Sequence, residues 1–211
     1  MDHDDFAGEP VKGLPEQLPE GEGILWQGRP SSWRLAQEAL WLRSVALYFV
    51  LLIGWRFVAS LSQVGVAEAV LHCVPFVGAM ILCLGIIYLV AYVLSQTTLY
   101  TITNRRVALR VGVVVTLNLN IPHRMVANAL LSPSSQGHGT LALEIKGDTR
   151  VSYLMIWPHV RPWYMSKAQP ALRCIPNAQE VAQIFADAAN ARINEPIISR
   201  RNIDDSAIAA Q

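Results

Sequence analysis

Histidine, cysteine and carboxylate residues are the side chains from which a metal or catalytic site would have to be built. The histidines form no HxxxH or HExxH pair, and Cys73, Cys83 and Cys174 form no CxxC pair. Glu68 and His72 are spaced i, i+4, but two residues do not close a metal site, and a solvated helix end explains them better. GxSxG, Walker and GxGxxG motifs are also absent from the sequence. We therefore expect no catalytic residue, no metal site, no cofactor and no enzyme activity.

The whole chain contains 52% hydrophobic and only 16% charged residues, and the apolar residues are concentrated in one block. Between positions 40 and 94 the charged residues are Arg43, Arg56 and Glu68. A block of this length and composition is typical of a membrane-embedded segment. The acidic opening, MDHDDFAGEP, does not resemble a secretory signal, and we expect the amino terminus to stay in the cytoplasm.

The apolar block divides best into two membrane spans, at about 42–61 and 74–94. The stretch between them, residues 61–72, contains Gly65, Glu68 and His72, which are hard to place in lipid. Twenty residues of helix span about 30 Å, enough for the hydrocarbon layer. The second span would have Pro75 in its first turn, where a missing N–H costs little. A third span, made by breaking 64–94 in two, is the less favoured alternative.

Arg56 is the ionisable residue inside the first span, and two interpretations of it remain open. It lies five positions from the end of the span, so its side chain could extend to the headgroups, with Trp55 at interfacial depth. Alternatively, it binds an acidic group on the helix of a partner protein, because intramembrane ionisable residues are often functional.

Basic residues flank the two spans on one side of the membrane. Arg29, Arg34 and Arg43 precede the first span, and Arg105, Arg106 and Arg110 follow the second, whereas the intervening loop has no Lys or Arg. The positive-inside rule then predicts a multi-pass protein with both termini in the cytoplasm.

The residues after Gln96 change from an apolar run to the alternating pattern of β-strands. TTLYTITNRRVALRVG predicts two strands joined at Asn104–Arg106, and the pattern continues to position 121. Further short strands are predicted at 126–131, 140–145, 151–156 and 172–175. Asn177 and Glu180 then have the spacing of a capping box at the start of an amphipathic helix. Many strands and one helix predict a small sheet or barrel whose open end the helix covers.

LPEQLPEGEGILWQGRP, an apolar hairpin, TTLYTITNRRVALRVG and GHGTLALEI together resemble the membrane-anchored bacterial pleckstrin-homology-like (PH-like) domain proteins. The resemblance covers about 14–191. It implies an α+β membrane protein: a transmembrane hairpin, then a cytoplasmic PH-like β-barrel or sandwich capped by a carboxyl-terminal helix. The chain then divides into an acidic amino-terminal segment (1–34), the hairpin (35–95), the PH-like domain (96–192) and a flexible tail (193–211).

Two segments are similar to a subgroup of that family, the assembly proteins for the photosynthetic reaction centre and light-harvesting 1 antenna of purple bacteria. They are HDDFAGEPVKGLPEQLPEGEGILWQGRP and IWPHVRPWYMSKAQPALRCIP. The resemblance implies a non-enzymatic assembly factor of the bacterial inner (intracytoplasmic) membrane. Its partners would be reaction-centre or light-harvesting 1 polypeptides and membrane lipids. The resemblance is also compatible with a homo-oligomer. The alternative is a membrane-tethered PH-like module that senses an anionic lipid or a small ligand.

The segment WPHVRPWYMSKAQP, residues 157–170, is the candidate partner-binding loop. Its three prolines restrict the unfolded chain, so that less entropy is lost on docking. Trp157, Arg161, Trp163 and Tyr164 are residue types that dominate interface hot spots. Two other interpretations remain open: the tryptophans pack in the core of the β-domain, or they lie at the membrane interface.

The charges of the chain are distributed unevenly. The first thirty residues contain seven acidic and two basic residues, whereas 97–173 contain nine basic and two acidic ones. A basic domain beside a bilayer attracts anionic headgroups, which makes Arg105, Arg106 and Arg110 candidate lipid-binding residues. The positive-inside bias explains the same arginines equally well. A basic stripe interleaved with aromatic residues is absent, so we expect no nucleic-acid partner.

The arginine distribution predicts the topology. A reporter that is active only in the periplasm should be silent at either terminus and active when it is inserted near Gly65. Strong periplasmic activity at the carboxyl terminus would mean an odd number of spans and would contradict the hairpin.

Overall fold

A computed structural model describes residues 13–14, 16–112, 116–147 and 151–193 of the protein. The predicted tail from 194 onward lies outside the described residues. So do residues 1–12, which contain four of the seven acidic residues among the first thirty. In chain order the helices and strands are β1 (Ile24–Gly28), α1 (Ser32–Glu38), α2 (Leu42–Leu61), α3 (Val66–Thr97), β2 (Leu99–Thr103), β3 (Arg106–Val111), β4 (Leu117–Pro122), β5 (Val126–Pro133), β6 (Gly139–Ile145), α4 (Tyr153–Ile156), β7 (Ala171–Ile175) and α5 (Ala178–Ile193).

The helices α2 and α3 form an apolar hairpin. Both are long and apolar enough to cross a membrane. Only 6% of the most apolar window of each is buried within the protein, so they are not core helices of the β-domain. A helix occupies the predicted first span, with the bounds Leu42–Leu61. The described residues contain two such helices, and the sequence between Val66 and Thr97 is one continuous helix rather than two.

The second helix is longer than predicted, and the loop before it is shorter. It has 32 residues, about 48 Å at 1.5 Å per residue, and starts at Val66 rather than near position 74. The expected loop at 61–72 is therefore a turn at 62–65, and Pro75 lies inside the helix instead of in its first turn. The carboxyl-terminal part of α3 packs against α1. Leu94 packs on the buried cluster that contains Leu35, and the ring centroids of Trp33 and Tyr88 are 6.1 Å apart.

The strands form two antiparallel sheets in the described part of the chain, with the orders β1-β2-β3-β4 and β5-β6-β7. One apolar core joins them, because side chains from both sheets and from α5 belong to the same buried cluster. Phe185 and Val181 of α5 lie in this cluster. The prediction of a small β-domain covered by a carboxyl-terminal helix is confirmed.

The amino-terminal segment is part of the β-domain rather than a separate region. Gln27 of β1 pairs with Thr101 of β2, so the apolar hairpin is inserted between two adjacent strands of one sheet. The predicted boundary at residue 34 therefore divides an element of the fold. Glu22, an acidic residue of this segment, forms an ion pair with Arg106 of β3 at 2.9 Å and so helps to hold the segment on the sheet.

Two local predictions differ from the structure. The strand expected at 151–156 is wrong, because Tyr153–Ile156 forms one turn of helix. In this turn Leu154 and Met155 are both exposed, which breaks the alternation a half-buried strand needs. At the start of α5, Asn177 takes a left-handed conformation, with φ of 49°, and its side-chain amide donates to Glu180 Oε2 at 3.4 Å. The predicted pair meets, but not with the backbone geometry of a capping box.

Candidate functional site

Residues 153–170, which we call the aromatic segment, consist of α4 and the connection from α4 to β7. They carry the predicted partner-binding residues of the loop. The segment is closed at its base by backbone pairing. Val160 bridges Pro170, and the Arg161 N–H donates to the Gln169 carbonyl at 2.9 Å. The Ala171 N–H also donates to the His159 carbonyl at 3.0 Å. These bonds join the residues before and after the tip at 162–168, and so hold the tip at its base next to β7.

His159 fixes the aromatic segment to the point where α3 passes into β2. Its Nδ1 lies 2.6 Å from the Tyr100 hydroxyl and its Nε2 lies 3.0 Å from Thr98 Oγ1. Thr98 follows the last residue of α3, and its hydroxyl donates to the Leu94 carbonyl at 2.7 Å. The Arg173 N–H donates to the Tyr100 oxygen at 3.3 Å. One connected set of hydrogen bonds thus joins α3, β2, the aromatic segment and β7.

The directions of these hydrogen bonds require a neutral His159. Because the Thr98 proton goes to Leu94, Thr98 Oγ1 accepts a proton from His159 Nε2. His159 Nδ1 is then the acceptor for the Tyr100 hydroxyl. Burial lowers the pKa of His159 to about 3, and the nearby Arg173 charge acts in the same direction. Burial also raises the pKa of Tyr100, so its hydroxyl keeps the proton that it donates.

The outer surface of the aromatic segment is apolar and exposed. Leu154 is 84% exposed, Trp163 75% and Met155 67%, and the predicted residues Trp157 and Tyr164 are 44% and 43% exposed. The interpretation of these tryptophans as core residues is therefore wrong. They project outward because the core at this end of the domain is already filled by Ile156, Val160 and the His159 ring, all nearly inaccessible.

The aromatic segment lies against the end of the apolar hairpin that is nearest to the sheets. The rings of Trp163 and Trp41 meet edge to face with centroids 6.4 Å apart, and Trp41 is the residue before α2. A cleft of about 470 Å³ separates the segment from this junction. The structure thus brings Trp157 and Trp163 together with Trp41, Glu38 and Arg173.

Arg161 and Tyr164 form the other side of the tip. The Arg161 guanidinium lies 4.0 Å from the centre of the Tyr164 ring and donates to Gln169 Oε1 at 3.0 Å. The cation–π contact holds both side chains in one orientation before a partner binds. Less side-chain entropy is therefore lost on binding.

The structure places Arg56 far from the aromatic segment. It lies in α2, five residues before the end of the helix at Leu61, and is half-buried. Among the described residues it has no ion pair or hydrogen bond, and neither of its two interpretations is tested by this geometry. Near the same end, His72 Nδ1 lies 3.3 Å from Ser60 Oγ, and groups of three potential metal ligands are absent from the described chain.

The three candidate lipid-binding arginines do not form one cup. Arg110 is opposite Leu99, next to the end of α3, and is only 8% exposed. Arg105 and Arg106 lie at the other end of the β2–β3 hairpin, about 17 Å away for five extended residues. There Arg105 donates to the Glu20 carbonyl at 3.0 Å and Arg106 binds Glu22. Headgroup binding by these residues stays a prediction, and intramolecular partners compete with it.

Sequence reasoning missed His159, Glu38, Arg173 and Trp41. His159 gave no motif, because its partners Thr98 and Tyr100 are about 60 positions away and come near it only when the two sheets pack together. Trp41 could have been found from the sequence, since a tryptophan directly before a membrane span is typical of an interfacial position.

We expect acid to destabilise the protein through His159. Between pH 6.5 and 3 the unfolded chain binds a proton that the folded chain excludes, so the free energy of unfolding falls as the pH drops below about 6.5. At pH 5 the loss from this group is about 2 kcal/mol. His159→Gln should flatten the pH profile of thermal unfolding in detergent, since Gln can donate and accept without titrating.

Two other histidines serve as references for that experiment. Burial also lowers the pKa of His123, which contributes with the same sign and is retained in both proteins. His138→Gln is the matched control, since among the described residues its ring forms a hydrogen bond only with the nearby Gln136 carbonyl. A profile for His159→Gln that is as steep as that of the wild type would contradict the assignment of a neutral, buried His159.

Comparison with known proteins agrees with the fold. Residues 40–189 match the family model described as bacterial PH domain. A Rhodobacter capsulatus protein, described as an uncharacterized 23.7 kDa protein in the puhA 5' region, is 38% identical over 198 residues, which cover 93% of this chain and 92% of the relative. A pleckstrin-homology protein of the DUF1696 family from Shewanella loihica PV-4 is 13% identical, covering 44% of this chain and 70% of its own, with a TM-score of 0.30. The chain belongs to the bacterial PH domain family.

Proposed function

We propose that the protein is a non-enzymatic assembly factor for the photosynthetic reaction centre and light-harvesting 1 antenna, of the PuhB type. In this proposal the apolar hairpin lies in the bacterial inner or intracytoplasmic membrane with both termini in the cytoplasm. The PH-like domain then presents the aromatic segment to newly made subunits at the cytoplasmic face.

The observation that carries the proposal is the exposed apolar surface of the aromatic segment beside the hairpin. Trp163 and Trp157 are accessible although each could bury a large apolar area, and Trp163 contacts Trp41 at the start of α2. Large exposed apolar patches mark interaction sites. A partner that crosses the membrane would reach this surface and the hairpin at the same time.

The rigidity of the segment supports a binding role. The buried hydrogen bonds of His159 and the backbone bridge at Val160 fix the base, and the Arg161–Tyr164 contact fixes the tip. A surface that is ordered before binding loses less entropy on docking. Trp, Tyr and Arg are the residues that contribute most to protein interfaces, and all three are present here.

The relative from Rhodobacter capsulatus supports the photosynthetic context. It is described as lying in the puhA 5' region, and it matches this chain over nearly its full length. Common function does not follow from fold alone, so the proposal depends on the site and on this context together.

Arg56 is the second candidate contact with a partner. Because it lacks a carboxylate partner among the described residues and lies within a helix that could cross a membrane, a carboxylate on a partner's helix would stabilise it. Extension of the side chain to the headgroups is the competing explanation, and Arg56→Gln separates the two. Unchanged complex yield fits the headgroup position, and lost yield with normal protein abundance fits the partner.

Trp163→Ala combined with Arg161→Ala tests the proposed function. In the native photosynthetic host, the tagged variant should remain in the membrane while recovery of reaction-centre and light-harvesting 1 polypeptides in mild detergent falls at least about tenfold. Absorbance of the assembled complex in membranes should fall with it.

Ser166→Ala combined with Lys167→Ala is the matched control, because both residues are exposed in the same tip. Lys167 forms only a surface ion pair with Glu144 at 3.7 Å, which contributes little. Recovery of anionic lipid alone, without photosynthetic polypeptides, would favour the lipid-sensing module instead. Unchanged complex yield in the Trp163 and Arg161 variant would remove the aromatic segment from the function.

A further inference from the structure

Glu38 and Arg173 line the same cleft with opposite charges. The cleft, of about 470 Å³, lies between Trp41 at the start of α2 and the aromatic segment. Both residues also line a second groove of about 450 Å³, and Trp163 lines both cavities. A charged floor below apolar walls is the usual composition of a ligand site.

The two charges are not paired with each other within the described residues. Glu38 accepts hydrogen bonds from Ser134 Oγ at 2.6 Å and Cys174 Sγ at 3.5 Å, and both donors are neutral. Arg173 is only 6% exposed; its Nη1 donates to the Pro158 carbonyl at 3.2 Å, and its Nε has no acceptor in the described chain. A buried guanidinium without an anionic partner is unfavourable, and an anion would stabilise it.

The walls of the cleft are suited to a cation and to an apolar chain. Trp41, Trp157 and Trp163 are 57%, 44% and 75% exposed, so their rings are accessible. Tryptophan faces bind ammonium groups through cation–π contacts. The opening lies directly before α2, which places it at the headgroup level of a bilayer that the apolar hairpin crosses.

We propose that this cleft binds the headgroup of one zwitterionic phospholipid, with the phosphate at Arg173 and the ammonium between Glu38 and the tryptophans. The acyl chains then extend along α2 into the bilayer. An anionic headgroup fits less well, because it would satisfy Arg173 but place no cation against Glu38. This site differs from the arginines of β2 and β3, and it does not depend on the assembly function.

Native mass spectrometry of the full-length protein tests the proposal. The protein is released from nanodiscs that contain equal amounts of phosphatidylethanolamine and phosphatidylglycerol. We expect one phosphatidylethanolamine to be retained. Glu38→Gln should reduce its preference over phosphatidylglycerol roughly tenfold, because a charged hydrogen bond to the ammonium is lost. Glu144→Gln, which changes a partly exposed carboxylate on β6, is the matched control and should leave the preference unchanged.

Trp157→Leu provides a second variant if Glu38→Gln does not fold. It should lower phosphatidylethanolamine retention while thermal unfolding stays near that of the wild type, since Trp157 is 44% exposed and lies outside the buried core cluster. Equal retention of both lipids, preference for phosphatidylglycerol, or no retained lipid would each overturn the proposal. If the wild-type protein retains phosphatidylethanolamine but copurifies with no photosynthetic polypeptide, the result counts against the assembly function alone.

Discussion

The neutral, buried imidazole of His159 is the contact on which the arrangement of this protein depends. It accepts the Tyr100 proton and donates to Thr98, so it joins the end of the long helix α3 to the first strand after it and to the aromatic segment. Each donor in this set has one acceptor, and burial keeps the ring neutral. Because protonation would remove the acceptor for Tyr100, the junction tolerates only one protonation state.

The exposed chemistry of the domain follows from this fixed junction. With His159 directed inward, the tip of the aromatic segment projects outward next to Trp41, and its tryptophans become surface rather than core. The same geometry forms the cleft in which Glu38 and Arg173 lie. The protein therefore concentrates aromatic surface and unpaired charge where the PH-like domain meets the apolar hairpin, and the basic turn at Arg105 and Arg106 lies at the far end of the β2–β3 hairpin.

The parts of the fold that depend on local pattern could be predicted from the sequence. Apolar length located Leu42–Leu61, and alternation located β2, β3 and most later strands. Contacts between distant residues could not be predicted: β1 pairs across the hairpin with β2, and His159 meets residues about 60 positions away. The strand expected at 151–156 failed because the consecutive side chains of Leu154 and Met155 are both exposed in one turn of helix, whereas a half-buried strand would turn one of them inward.

Photo-crosslinking from position 163 in native membranes tests the central claim most directly, namely that the aromatic segment is a partner-binding surface. A photoreactive amino acid replaces Trp163 in one protein and Arg124, an exposed residue remote from the hairpin, in the other. The account predicts an adduct with a reaction-centre or light-harvesting 1 polypeptide from position 163 and none from position 124. Adducts with lipid alone from position 163, or equal polypeptide adducts from both positions, would contradict it.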